Sequence, residues 1–223
     1  YTGAGEINLN GVSDINRDVP GQIDFYFEAN GGNSIFFSVW TVTSPITLVA
    51  MVHHDHLADY AAGEIFNPKW LDIIRNARVI RFDKWTNAGN YDGPAVQWAN
   101  RYLPERMTYQ GGETSPGLPV EVICDLCTKI GADPWIPLIA SASDAYAESY
   151  ATLMRDRLSS NRRVHFELST KVWDGANYAT AGYFRNLAQA SYGDESIEAC
   201  MDAYGGRSGE IFAVLRTVFA GQL

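Results

Sequence analysis

The sequence has little of three features that often reveal a function. Three cysteines in 223 residues are too few for a complete disulfide framework. No apolar run approaches the roughly 18 residues that span a bilayer, so membrane insertion is not expected. Basic residues are also few, since 17 Lys and Arg stand against 26 Asp and Glu, for a formal net charge of −9. This excess of acid argues against nucleic acid or an anionic membrane as the main partner.

Cys124 and Cys127 form a Cys-x-x-Cys motif, which invites a redox or zinc interpretation. No second Cys or His pair stands at zinc-ribbon spacing. We therefore interpret the two residues as small apolar side chains one helical turn apart. The chain also lacks a glycine-rich loop with the following lysine that phosphate binding requires, so no cofactor is predicted.

Residues 1–52 have the pattern of an antiparallel, β-rich subdomain. Short apolar or alternating runs occupy residues 5–9, 22–28, 34–42 and 47–52. Turn signals such as Asn10-Gly11 and Pro20-Gly21 separate them.

Residues 53–223 alternate between strand and helix patterns. We predict strands at 79–85, 134–139 and from 163, and helices at 119–130, 143–160 and from Ser208 onward. Gly131 follows the end of the first helix, and Ser143 caps the start of the second. Repeated strand–helix units favour an α/β fold with a parallel sheet, here a partial (β/α)8 TIM-like barrel of about four units. A closed barrel needs eight strands, so we expect a longer chain or another subunit to complete it.

The strand that begins near Arg163 carries its polar residues on one parity. Its two alternating sets are Val164, Phe166 and Leu168 on one side, and His165, Glu167, Ser169 and Lys171 on the other. A strand between helices is normally apolar on both faces. The polar row therefore predicts the lumen of a barrel, with functional residues at its mouth.

Glu167 would lie inside that lumen, where an unpaired carboxylate costs several kcal/mol, of order 3–5. Arg81 shares its parity with Asp83 and Trp85 on the earlier strand. We therefore predict a structural ion pair between Arg81 and Glu167, in preference to a catalytic role for Glu167.

Six groups of segments in the last 160 residues follow one another in the order of a known family. They are Ala62-Gly63-Glu64-Ile65-Phe66-Asn67-Pro68, Arg81-Phe82 with Trp85, Gly131-Ala132-Asp133-Pro134-Trp135, Tyr150-Ala151-Thr152-Leu153 with Arg155-Asp156, Val172-Trp173, and Arg207-Ser208 with Glu210-Ile211. On these segments the chain resembles large bacterial and phage-encoded proteins labelled cellulose-binding or glycosyl-hydrolase-like. Their barrels look like those of retaining glycoside hydrolases. The resemblance implies a barrel of that type and an extracellular or virion-associated location.

The chain departs from that family at the residues that carry chemistry. The family usually has Asn-Glu where this chain has Thr170 and Lys171, and a carboxylate where this chain has Lys84. A lysine cannot replace the general acid of a glycosidase, because its neutral form is a base and its charged form is a poor proton donor near neutral pH. The resemblance thus implies a barrel kept for its shape.

Glycoside hydrolysis normally needs two carboxylates, roughly 5 Å apart for retention or 6.5–9.5 Å for inversion. The carboxylates that remain as alternative catalytic candidates are Asp83, Glu167 and Asp174. For sugar contact, we predict stacking on Trp85 and Trp173 at the strand ends, with Asp83 and Lys171 beside them.

The remaining tryptophans and histidines have less specific interpretations. Trp70, Trp98 and Trp135 are as readily packing residues as binding residues. In an extended segment His54 and His56 would share a face and could hold a metal with a third ligand, although two histidines make an incomplete site. The alternative is a polar loop that leaves the β-rich region.

The sequence is therefore compatible with three functions. The first is a non-catalytic, glycoside-hydrolase-like barrel that serves as a structural or glycan-binding module of an extracellular or virion assembly. The second is an active glycoside hydrolase that uses Asp83 or Asp174 with a carboxylate outside this chain. The third is a protein-interaction domain in which sugar binding is lost.

Overall fold

The computed structural model of the chain describes residues 1–28, 34–91, 93–106, 115–174 and 178–220. These residues divide into two units, Tyr1–Ile65 and Phe66–Leu223. The sequence pattern places the corresponding boundary after residue 52.

The first unit is built from two antiparallel pairs of strands. Strand β1 (Thr2–Asn10) pairs with β4 (Phe36–Leu48), and β2 (Ser13–Asn16) pairs with β3 (Asp24–Tyr26). Because β4 is longer than β1, register shifts near the start of β1 absorb the extra residues. Strand β4 thus covers most of the strand predicted at 34–42 but only Thr47 and Leu48 of the one predicted at 47–52. A 3₁₀ turn (His54–His56) and the short helix α1 (Leu57–Ala61) follow.

The second unit is a mixed α/β fold. Its helices are α2 (Pro68–Ile74), α3 (Asp83–Thr86), α4 (Val120–Ile130), α5 (Asp144–Arg157), α6 (Ala179–Tyr192) and α7 (Ile197–Val218), with a 3₁₀ turn at Trp98–Asn100. Its strands β5 (Val79–Arg81), β6 (Asp133–Leu138) and β7 (His165–Leu168) form a three-stranded parallel sheet in that order.

Helices cover one face of the parallel sheet. Ile136, Leu138 and Leu168 are almost fully buried on that face, in one core cluster with side chains of α4, α5 and α7. The register places Arg81, Trp135 and His165 side by side on the opposite face. There Val79 is 44% and Trp135 39% exposed, so this face, called here the open sheet face, meets solvent.

Two predicted helix termini are confirmed, namely the N-cap at Ser143 and the glycine at position 131 that ends a helix. The Ser143 side chain accepts a hydrogen bond from the Tyr146 amide at the start of α5. Gly131 ends α4 in the left-handed conformation, with φ of 72°, which a glycine adopts without a Cβ penalty.

Three other elements differ from the sequence prediction. The strand predicted at 79–85 ends at Arg81, and Asp83–Thr86 is helical. Helix α6 was not predicted, and α7 begins at Ile197 rather than near Ser208. Glycines at 205, 206 and 209 weaken the helix pattern of α7, but packing of Ala199, Cys200 and Ala203 beside Ala188 of α6 overrides that low propensity.

Cys124 and Cys127 are free thiols with no exposed surface on α4, as the apolar interpretation predicts. Burial raises the pKa of each thiol from 9.0 to about 12. Because the pKa in the folded state is the higher one, protonated thiols favour the folded state below pH 9, and this contribution declines as the pH rises toward 12.

We predict that neither cysteine reacts with iodoacetamide in the folded protein at pH 8, because the thiolate is the reactive form and both thiols are buried. Peptide mass spectrometry should find both residues modified only after unfolding in urea. Native labelling at the rate of a free thiol would contradict the buried packing of α4.

Among the described residues, no helix combines the length and the apolar character needed to cross a bilayer.

Candidate functional site

The carboxyl ends of β5 and β7 bring together most of the residues singled out in the sequence. Parallel strands end at the same edge of a sheet, where α/β proteins usually bind ligands. The residues gathered at this edge, called here the strand-end site, are Arg81, Asp83, Lys84, Glu167, Thr170, Lys171, Trp173 and Tyr178.

Arg81 is the centre of one half of the strand-end site. Its Nε donates to Glu167 Oε1 at 2.8 Å, and its Nη2 donates to the same oxygen and to Thr170 Oγ1 at 2.9 Å. Its Nη1 lies 3.8 Å from Asp83 Oδ2. One guanidinium thus donates hydrogen bonds to a carboxylate and a hydroxyl and lies within ion-pair distance of a second carboxylate.

The surroundings of this ion pair differ from the prediction. The sequence pattern places Arg81 and Glu167 inside a barrel lumen, but their side chains are 34% and 24% exposed. The reason is that no described strand covers the open sheet face. The Arg81 guanidinium also lies 5.3 Å from the centre of the Trp135 ring, so Trp135 is an exposed part of this surface and not a packing residue. A shallow cavity of about 390 Å³ lies against Val79, Arg81, Trp135 and His165.

The loop after β7 breaks the alternation that the sequence suggests. Ser169 and Lys171 have φ of 58° and 53°, a left-handed conformation that is uncommon for residues other than glycine. Ser169 is consequently buried, and its hydroxyl donates to the Ala88 carbonyl at 3.0 Å and contacts Thr180 Oγ1. The prediction that Ser169 continues the polar face of Glu167 is therefore wrong, because the strand ends at Leu168.

Tyr178 is the centre of the other half of the strand-end site. The Lys171 ammonium donates to the Tyr178 hydroxyl and lies 4.3 Å from the centre of its ring. Lys84 Nζ lies 5.5 Å from the same centre. The hydrogen bond to Tyr178 is the main cause that raises the pKa of Lys171, with smaller contributions from Asp83 and Asp174. Lys171 therefore presents an ammonium group here.

Sequence reasoning missed Tyr178, because it precedes α6 without a periodic pattern. Gly89 was also missed. A Cβ atom at Gly89 would lie 2.9 Å from Thr170 Cγ2 and 2.9 Å from Tyr178 Cδ1, so the absence of a side chain there allows both residues to pack closely. Glycine at this position was the available signal, since a glycine in a turn often allows other groups to approach the backbone closely.

The two tryptophans predicted to stack on sugar have different environments. Trp85 lies in α3 and not at a strand end, and it packs at 6.1 Å from Trp70 and 5.3 Å from Phe82, measured between ring centres. Its surroundings favour a packing role. Trp173 follows β7 and is 69% exposed, so its ring is open to a ligand.

Asp83 and Asp174 both belong to the electrostatic surroundings of Lys171, where each helps to raise its pKa. The backbone of Asp174 links the loop, because its amide donates to the Lys171 carbonyl at 3.0 Å and its carbonyl accepts from the Tyr178 amide at 3.2 Å. Asp83 begins α3, next to Lys84. All three carboxylates considered for catalysis thus lie near a basic side chain.

The histidine segment does not have the extended form that a shared face for His54 and His56 requires. Residues 54–56 form a 3₁₀ turn, which instead places His53 and His56 together with ring centres 5.7 Å apart. His56 Nδ1 lies 3.4 Å from Asp59 Oδ2. In the part of the chain that the structure describes, no three His, Cys, Asp or Glu side chains could hold a metal ion.

Comparison with known proteins adds no relative: no family model, no curated protein and no solved structure matches this chain. The resemblance of residues 62–223 to glycoside-hydrolase-like proteins therefore stays a prediction from the sequence. Function has to follow from the geometry of the strand-end site.

Proposed function

We propose that this protein is a non-catalytic, glycoside-hydrolase-like barrel that contacts glycans at the strand-end site. It would act as a binding or structural module of an extracellular or virion assembly. The location and the barrel architecture follow from the family resemblance, whereas the strand-end geometry supports the binding role.

The observation that carries the proposal is the distribution of charge at the strand ends. Glu167 accepts hydrogen bonds from Arg81, and the ammonium groups of Lys84 and Lys171 lie around Tyr178. A glycosidase needs one carboxyl group that delivers a proton to the glycosidic oxygen. Here Glu167 Oε1 accepts hydrogen bonds from a guanidinium, which has donors only.

Two exposed aromatic rings support sugar contact. Trp173 is 69% exposed beside the site, and Trp135 is 39% exposed beneath Arg81. Aromatic faces supply apolar area to a sugar ring, while nearby polar groups meet its hydroxyls. The ammonium groups of Lys84 and Lys171 provide those polar groups.

The unpaired edge of β5 supports a further polypeptide that completes the barrel. Native proteins normally pair or cover an exposed strand edge. In the described residues β5 pairs with β6 alone, and beside β5 lies an apolar groove of about 570 Å³ bounded by Trp70, Ile73 and Ile80. We therefore infer that another part of a longer chain, or another subunit, packs there.

An active glycoside hydrolase is the second candidate, and one contact favours it. Arg81 lies within 4 Å of both Asp83 and Glu167, so two carboxylates flank the same guanidinium, and a glycosidase needs two neighbouring carboxylates. Turnover of an activated aryl glycoside that disappears in Asp83→Asn would establish this function and overturn ours.

The proposal predicts that the protein binds an oligosaccharide from a glycan array without hydrolysing it. Trp173→Ala should weaken binding of the selected glycan at least about fivefold in isothermal titration calorimetry, because stacking of an exposed indole ring contributes about 1 kcal/mol or more.

Trp40→Ala is the matched control, since Trp40 is 60% exposed in the first unit and does not belong to the strand-end site. Its affinity should equal that of the unchanged protein. If no glycan binds, the protein-interaction alternative is favoured. If Trp40→Ala weakens binding as much as Trp173→Ala, the strand-end site is the wrong location.

A further inference from the structure

The first unit contains a cavity that the proposed function does not use. It measures about 300 Å³, opens to solvent, and its walls include Ile7, Leu9, Phe25, Phe37, Leu57 and Tyr60. Its volume is at the lower end of the range for ligand pockets, and its lining is mostly aliphatic and aromatic.

The first unit buries very little apolar surface. Ile7, at 4% exposed, is the one hydrophobic residue that is buried among the described residues of this unit. Around the cavity, Phe37 is 44%, Leu57 42% and Met51 67% exposed. Such contiguous apolar surface is typical of an interaction site, because two-stranded sheets gain little stability in water without a covering partner.

The net negative charge of the first unit indicates which kind of partner can bind over the cavity. Residues 1–65 contain eight Asp and Glu, no Lys, and Arg17 as their one Arg. Arg17 donates to the Ile7 carbonyl at 2.7 Å and so lies against its own unit. Asp24 is the one charged side chain among the described residues that line the cavity, and it accepts from the neutral amide of Gln22 at 2.9 Å.

We propose that this cavity is the docking site for a cationic, apolar segment of a partner protein. One aromatic or aliphatic side chain would fill the cavity, and flanking lysines or arginines would face Asp24 and the net negative charge of the unit. A second copy of the unit would bring eight further carboxylates against these eight, and an anionic bilayer would be repelled by them.

Fluorescence anisotropy with three synthetic nine-residue peptides tests the proposal on the full chain. The first peptide alternates Lys with Val around a central Phe, the second has Glu in place of Lys, and the third has Ser in place of the apolar residues. We expect the first to bind at least tenfold more tightly than either control. Its affinity should fall in 1 M salt, where the Debye length contracts to about 3 Å.

Phe37→Ser should abolish binding of the first peptide, because it removes an apolar wall of the cavity. Asp24→Asn should weaken binding several-fold without affecting the fold, since Asp24 is exposed. The matched control is Asp202→Asn, an exposed carboxylate on α7 of the other unit, which should have no effect.

Two results would overturn the proposal. One is that the unchanged chain binds the lysine and glutamate peptides with equal affinity, or binds neither. This result does not depend on whether Phe37→Ser folds. The other is a dimer of the unchanged chain in sedimentation velocity that Phe37→Ser dissociates, since a second copy would then be the occupant. Neither result bears on glycan binding at the strand-end site.

Discussion

Replacing Phe184 with alanine is expected to lower the free energy of unfolding by about 3–5 kcal/mol, the usual cost of removing a buried phenylalanine. The Phe184 side chain has no exposed surface. Its ring meets Tyr204 of α7 edge-on at 5.3 Å, with an interplanar angle of 89°, and meets Tyr183 at 5.1 Å. Phe184 therefore joins α6 to α7 and to the main core, and truncation leaves a cavity that two rigid rings cannot fill.

Urea denaturation followed by far-ultraviolet circular dichroism measures this effect. Tyr192→Ala is the matched control, because Tyr192 is 56% exposed at the end of the same helix. It should change the free energy of unfolding by no more than about 0.5 kcal/mol. A cost below 1 kcal/mol for Phe184→Ala would mean that α6 and α7 do not pack as described.

Replacing Arg81 with methionine is expected to lower the free energy of unfolding by about 1–3 kcal/mol. Arg81 makes charge-assisted hydrogen bonds to Glu167, and its loss leaves a half-buried carboxylate without its donor. The cost is below that of a fully buried pair, since solvent reaches both side chains. Trp135 also loses the cation over its ring.

A double-mutant cycle with Glu167→Gln isolates the interaction. The two single changes should cost more in sum than the double change, because each removes the same hydrogen bonds. Arg75→Met is the matched control, since Arg75 pairs with Asp72 at 2.7 Å on the surface of α2, with both side chains about two-thirds exposed. That variant should lose less than about 1 kcal/mol. Additive single changes would show that Arg81 and Glu167 do not stabilise each other.

The Arg81→Met variant and the double-mutant cycle with Glu167→Gln bear on function as well as on stability. If Arg81 and Glu167 are coupled, the ion pair links the ends of β5 and β7 across β6. Glu167 then has a structural role in the site. The residues left to meet a ligand are then Lys84, Lys171 and Trp173. Strong coupling would therefore support a binding role, whereas its absence would leave Glu167 available for chemistry.

Features that depend on neighbouring residues could be read from the sequence. The caps at Ser143 and Gly131 were predicted because capping is a contact within one turn of a helix. The mixed α/β character was predicted because hydrophobic periodicity reflects one element at a time. Strand parity also placed Arg81 and Glu167 on the same face, where they meet across an intervening strand.

Features that depend on distant residues required the folded chain. The left-handed turn at Ser169 and Lys171 inverts the parity of the polar row, and its anchor is Thr180, which belongs to the next helix. Tyr178 gathers Lys84 and Lys171 although the two lysines are far apart in sequence. Helix α7 runs through three glycines because α6 packs against it. In each case the energy comes from packing between elements, which local propensity does not contain.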